Sequence, residues 1–193
     1  EPYDSQVTTH SVTTTITVAA PPDVVWEQVV AFPEITEPLP WYFRIGIAAP
    51  MRARIDGRGV GATRYSEFTT GAFIEPITHW DQPNHLAFDV ASQPEPMFEW
   101  TPFDALHPPH LESGLVSRRG EFRLVALPDG KTGLSGTTWY ELDVRPRLYW
   151  KIWADPMLHR IHRRVLDHIA AQCESDSEYF FESGRFSSEI LRR

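Results

Sequence analysis

The chain opens on an alternating run. Between His10 and Val18, Val12, Ile16 and Val18 fall on one face and Thr13, Thr15 and Thr17 on the other. A period of two rich in β-branched residues predicts a strand with one face buried. Pro21-Pro22-Asp23 then starts a helix, with Asp23 in the first turn, where a carboxylate meets the positive end of the helix dipole. Val25, Val29 and Phe32 continue it at helical spacing as far as Pro33. A second short helix is expected within 34–45, broken by Pro38 and Pro40.

From Met51 the period returns to two. Strands are expected over 51–55 and 62–70, joined by a turn holding Gly57, Gly59 and Gly61. A hairpin follows over 73–91. Ile74, Ile77 and Trp80 precede a turn built from Asp81, Pro83 and Asn84, and Leu86, Phe88 and Val90 then alternate with Ala87 and Asp89. Residues 92–115 break the pattern, placing Phe98, Trp100 and Phe103 among Pro94, Pro96, Pro102, Pro108 and Pro109. A long Pro-rich, aromatic loop of this kind is usually either functional or a disordered insert, and in a ligand-binding domain it would act as the lid. His107-Pro-Pro-His110 within it reads as loop stiffening. Strands over 121–127 and 134–144 flank the turn Pro128-Asp129-Gly130-Lys131. The last element is helical. It begins at 146–154 and restarts or kinks at Asp155-Pro156. Leu158, Ile161, Val165 and Ile169 then form one stripe, with Arg160, Arg163, Arg164 and Asp167 opposite.

This order of strand, two short helices, about six strands and one long helix contains no strand–helix–strand alternation. The class is therefore α+β: a curved antiparallel sheet of six to seven strands wrapped around a long C-terminal helix. A chain of 193 residues suits one core, expected over 10–173. Residues 1–9 read as a flexible lead-in, and the acidic, patternless 174–193 as a mobile tail.

Composition narrows the function. Aromatics make up 12% of the chain, with seven Trp, a surplus that calls for a wide sheet face or a cavity. With 18 basic against 26 acidic residues the net charge is −8, which argues against a nucleic-acid partner. The single cysteine, Cys173, excludes an internal disulfide and a cysteine zinc cluster. No window approaches the roughly 20 apolar residues that span a bilayer, and no signal segment opens the chain. It reads as a soluble domain, either cytoplasmic or tethered by a membrane segment preceding Glu1.

Three runs carry a resemblance. Val18-Ala-Ala-Pro-Pro-Asp-Val-Val-Trp26 resembles the first strand-to-helix junction of the START-like (SRPBCC) superfamily, which includes polyketide cyclase/dehydratase-like and lipid-transfer domains. Residues 78–88 resemble its mid-sheet hairpin and 120–140 its last hairpin. Tyr149, Trp150, Trp153, His159, His162 and His168 resemble a run in functionally unassigned bacterial members, some of which carry this domain after membrane spans. The resemblance implies the helix-grip fold and an apolar cavity between sheet and helix, for a lipid-like or aromatic small molecule.

The aromatic excess supplies the candidate lining: Trp41, Phe43, Tyr65, Phe73, Trp100, Tyr140 and Trp153, together with His162 on the helical stripe. A cyclase- or dehydratase-like enzyme would use His162 with Tyr140, or an inward glutamate such as Glu67, as general acid–base. Any inward glutamate, Glu67, Glu75, Glu121 or Glu141, would need a cation; Arg64, Arg118, Arg119 and Arg123 are within plausible reach. Tyr65 and Glu67 share one face of their strand, opposite Arg64, Ser66 and Phe68, and the pattern leaves open which face turns inward. His159-x-x-His162 lacks a third ligand at useful spacing, so no metal is expected, and no motif calls for a cofactor. An interaction module using the aromatics of 92–115 is the remaining alternative.

Overall fold

A computed structural model of the protein describes residues 8–44, 46–95, 114–142 and 147–190, with side chains in the last segment described for 151–175. Strand β1 (Thr9–Val18) leads into helices α1 (Pro22–Ala31) and α2 (Trp41–Arg44). Six strands follow: β2 (Pro50–Asp56), β3 (Thr63–Phe68), β4 (Gly71–Asp81), β5 (His85–Asp89), β6 (Leu115–Ala126) and β7 (Thr132–Leu142). Helix α3 (Arg147–Ile190) closes the chain. The strands form one antiparallel sheet in the order β1-β7-β6-β5-β4-β3-β2, so β1 and β2 are its edges. The α+β helix-grip architecture is thus present.

Element bounds shift in informative places. β6 begins at Leu115, inside the segment expected to be loop, because Gln93 is clamped to its start. The Gln93 side chain donates to the Leu115 carbonyl at 2.8 Å and accepts from the Ser117 amide at 2.7 Å. The remainder of the expected lid, 96–113, lies outside the described residues. Helix α3 runs through Pro156 and continues past Cys173 to Ile190. Helix α2 shrinks to the four residues after Pro40.

One face of the sheet is buried. Val12 and Val18 of β1, Leu134 and Tyr140 of β7, Phe122 and Leu124 of β6, and Leu86 and Phe88 of β5 all point into it. Helix α3 covers that face with Leu158, Leu166, Ile169 and Cys173, and α1 adds Val25, Trp26 and Val29. Trp26 stacks edge-on against Trp80 at 5.5 Å, anchoring α1 on the hairpin β4–β5. Around Tyr140 a second, smaller cluster gathers Val12, Leu142, Ala154 and Leu158.

Close packing sets one glycine. A Cβ at Gly120 would sit 2.5 Å from the Phe88 ring. That ring is itself fixed between Arg64, 4.8 Å away, and Phe122, 6.2 Å away. Gly120→Ala should therefore lower stability by about 1–3 kcal/mol through overpacking. Phe88→Leu in the same chain should recover part of the loss, as read by urea unfolding of the single and double variants.

Candidate functional site

The cavity lies between the buried sheet face and α3 and has a volume of about 120 Å³. Its apolar wall comes from Phe68, Phe73, Phe88 and Phe122 on the sheet and from Leu158, Ile161 and Val165 on the helix. Polar groups interrupt that wall, among them Ser117 and Thr138 on the sheet; the two that stand out are a buried ion pair on adjacent strands and a histidine on the helix.

The ion pair follows from register. Arg64 of β3 faces Glu75 of β4 directly across the ladder, and Ser66 lies two residues along on the same face. Arg64 is 6% and Glu75 5% exposed. The Arg64 guanidinium donates from Nη1 to Glu75 Oε2, and Ser66 Oγ donates to the same oxygen at 2.6 Å. The cation also lies over the Phe88 ring at 4.8 Å and near that of Phe122 at 5.6 Å. Its Nε has no acceptor among the described residues, so the pair is incompletely satisfied. Two charges taken out of water on the wall of an apolar cavity are costly unless paired, and here they pair with each other.

His162 projects from α3 onto the sheet. Its Nε2 lies 2.8 Å from Thr138 Oγ1 and its Nδ1 3.2 Å from Thr14 Oγ1, so two hydroxyls on neighbouring strands hold the ring. Burial, reinforced by nearby His159, lowers its pKa to about 4, and the ring is neutral near pH 7. With both nitrogens engaged, this imidazole acts as a bolt between helix and sheet.

Of the residues singled out by sequence, Phe73 and His162 line the cavity. The others are placed elsewhere. Trp41 is 72% exposed on α2 and Trp153 62% exposed on α3. Phe43 is buried but away from the cavity wall. Tyr65 stacks under Arg54 at 4.2 Å, and Glu67 bonds the Arg52 Nε at 2.7 Å in a pair exposed to water. Both occupy the face of β3 opposite Arg64 and Ser66, which corrects Tyr65 as lining and Glu67 as an inward base. Tyr140 is buried in the smaller cluster, where its hydroxyl donates to Asp155. Burial and that carboxylate both push its phenol pKa up. Tyr140 and His162 are thus bonded to different partners and do not form the expected acid–base pair. Trp100 lies outside the described residues.

The other anticipated carboxylate pairs are also visible. Arg118 Nε donates to Glu141 at 2.8 Å. Glu121 accepts from Arg123 Nε at 2.8 Å and lies 3.0 Å from His85 Nε2. Burial pushes the Glu121 carboxyl up, but the bonds from Arg123 and His85 outweigh it and hold its pKa below the usual value. The His159–His162 pair converges through both Nδ1 atoms on the Thr14 hydroxyl. Among the described residues no cluster of three potential ligands could hold a metal.

Sequence reasoning named Glu75 and Arg64 only among several glutamates and arginines that could pair, and Ser66 not as a site residue at all. Their signal was available in part. Arg64 and Ser66 share a parity with Phe68, and Glu75 stands on the next strand, but only the register makes them neighbours.

An antiparallel sheet gripping one long helix over an apolar, polar-studded cavity defines the START-like class of ligand-binding domains. The chain matches the family "Polyketide cyclase / dehydrase and lipid transport" over residues 9–174 and belongs to it. Among solved structures it resembles a protein from Nitrosospira multiformis at 18% identity and TM-score 0.55, covering 88% of this chain and 99% of that one. Norcoclaurine synthase from Thalictrum flavum, in complex with dopamine and hydroxybenzaldehyde, is similar at 15% identity and TM-score 0.54, covering 88% of each chain. The Zhui aromatase/cyclase from a Streptomyces species is similar at 18% identity and TM-score 0.51, covering 86% and 94%. At these identities the likeness concerns the fold. A sequence comparison with curated proteins finds no match. No helix among the described residues is long and apolar enough to cross a membrane.

Two measurements probe the site. Above pH 6.5 His162 is neutral whether the chain is folded or unfolded. Below it the unfolded chain takes the proton, and the folded one resists until about pH 4. Stability should therefore fall across that window by roughly 3 kcal/mol from this residue, and His162→Gln should lose that component of the pH profile. For the ion pair, Arg64→Met or Glu75→Leu alone should each cost about 3–5 kcal/mol by leaving a buried charge unpaired. The double variant should cost clearly less than their sum in urea unfolding.

Proposed function

We propose that the protein binds a small hydrophobic molecule, lipid-like or aromatic, in the cavity between the sheet and α3. The observation that carries this is the wall itself: five phenylalanines and an aliphatic helix face around a space, with a buried ion pair at its polar side. Phe68 and Phe73, 4.8 Å apart, and Phe88 with Phe122 offer ring faces and edges to an aromatic guest. A space of this order holds about one ring. A larger ligand would enter by displacing side chains from the apolar wall.

The ion pair supports a ligand with one polar end. An apolar wall gives affinity without orientation, and a few fixed polar groups supply the orientation. Arg64 and Ser66 are donors already held by Glu75, so a ligand oxygen would find them pre-positioned. That the family description includes lipid transport agrees with an apolar guest, and norcoclaurine synthase, seen with dopamine and hydroxybenzaldehyde, holds small aromatic molecules on a similar fold.

Native mass spectrometry of the protein purified from cells should show a co-purified small molecule. In a displacement assay with an anilinonaphthalene dye, Val165→Phe, which grows a side chain into the cavity, should weaken dye binding by about tenfold or more while the fold is kept. Unchanged dye affinity in that variant would overturn cavity binding.

A further inference from the structure

A second cleft, about 470 Å³ in volume, opens where α3 passes the edge of the sheet. Thr13, Thr14 and Thr15 of β1 form one wall, and His159, Arg160 and Arg163 of α3 form the other, with no carboxylate among them. β1 is an edge strand paired with β7 alone, so every second backbone N–H along it points away from the sheet without a strand partner.

Arg160 and Arg163 bring positive charge to this edge of a chain of net charge −8. Arg52, Arg64, Arg118 and Arg123 each hold a carboxylate closely. Arg160 instead lays its guanidinium over the Tyr42 ring at 5.2 Å and makes no ion pair among the described residues. Arg163 has Asp167 at 3.9 Å, with both side chains more than half exposed, a loose contact of little strength. His159 is oriented by Thr14, whose Oγ1 lies 2.8 Å from its Nδ1, and its Nε2 is unbonded among the described residues. Two guanidinium forks without a close carboxylate, the unbonded His159 Nε2 and strand-edge amides around one concave space are the donor set that oxyanions select.

We infer that this cleft is an anion site for a phosphate-type oxyanion, carried by a soluble phosphate or by the headgroup of an anionic lipid. It is separate from the apolar cavity. The two touch at Thr14, whose hydroxyl also meets His162 on the cavity wall.

The test uses the full chain in two arms. In the first, inorganic phosphate is titrated into isotope-labelled protein at low ionic strength. Saturable shifts should appear at the Thr13–Thr15 amides and the Arg160 and Arg163 side chains. Arg160→Gln with Arg163→Gln should weaken them about tenfold or more, with the thermal midpoint unchanged, since both side chains lie at the surface. In the second, the protein is floated with vesicles of phosphatidylcholine alone or mixed with phosphatidylserine. Binding to the anionic vesicles that phosphate competes away, and that the double variant loses, supports the headgroup source. Saturable phosphate binding without vesicle binding supports the soluble source. Failure to bind either, or binding that survives intact in the double variant, overturns the site. Neither arm depends on cavity occupancy, so a failure here leaves the apolar pocket standing.

Discussion

Everything in this fold depends on a single burial: one face of a seven-stranded sheet is taken out of water by the long helix α3, with α1 beside it. Strand side chains alternate, so each strand must commit half its residues to that face. Any polar group caught there must then find a partner. The partners are specific. Thr132 donates to the Ala20 carbonyl at 2.7 Å, Tyr140 to Asp155, and Arg64 to Glu75. His162 is held between Thr14 and Thr138. Of these, the Tyr140–Asp155 bond and the two bonds of His162 tie α3 to the sheet.

The same geometry produces the cavity. Large side chains such as Phe88 and Phe122 stand around the space while the residues between them are small, Gly120 and Gly136. The remaining space is largely apolar, with a charged pair where the register brings Arg64 and Glu75 together. The cost of burying that pair is offset by mutual attraction and by the aromatic faces beside it. A purely structural core would gain by replacing such a pair with hydrocarbon. Its place on a cavity wall makes a role in orienting a guest the economical explanation.

Where the helix passes the sheet's edge, burial ends and a different environment begins. Thr14 marks the boundary, bonded to His162 on the inside and His159 on the outside. On the inner side the imidazole is neutral and satisfied. On the outer side, cations stand in water beside an unpaired strand edge. One helix thus presents an apolar stripe to the cavity and a cationic one to the cleft, as its period of 3.6 requires.

Much of the fold was legible because it rests on local periodicity. The alternation in β1, the turns at 81–84 and 128–131 and the stripe Leu158, Ile161, Val165, Ile169 each reflect physics acting over a few residues. The start of β6 at Leu115 was not legible, since it depends on Gln93, far along the chain. The site was harder still. Aromatic excess pointed to a cavity but to only one of its aromatic liners, Phe73: Trp41 and Trp153 stand in solvent, while Phe88 and Phe122, read as ordinary strand residues, form much of the wall. The sequence by itself determined the elements, their order, the antiparallel class and the two-faced character of β3. Only the tertiary structure decided which face of β3 turns inward. That choice puts Arg64 and Ser66 against Glu75 and sends Tyr65 and Glu67 to solvent. The reason is physical: parity is local, but the side of a sheet that becomes the interior is set by where a helix some eighty residues away comes to rest.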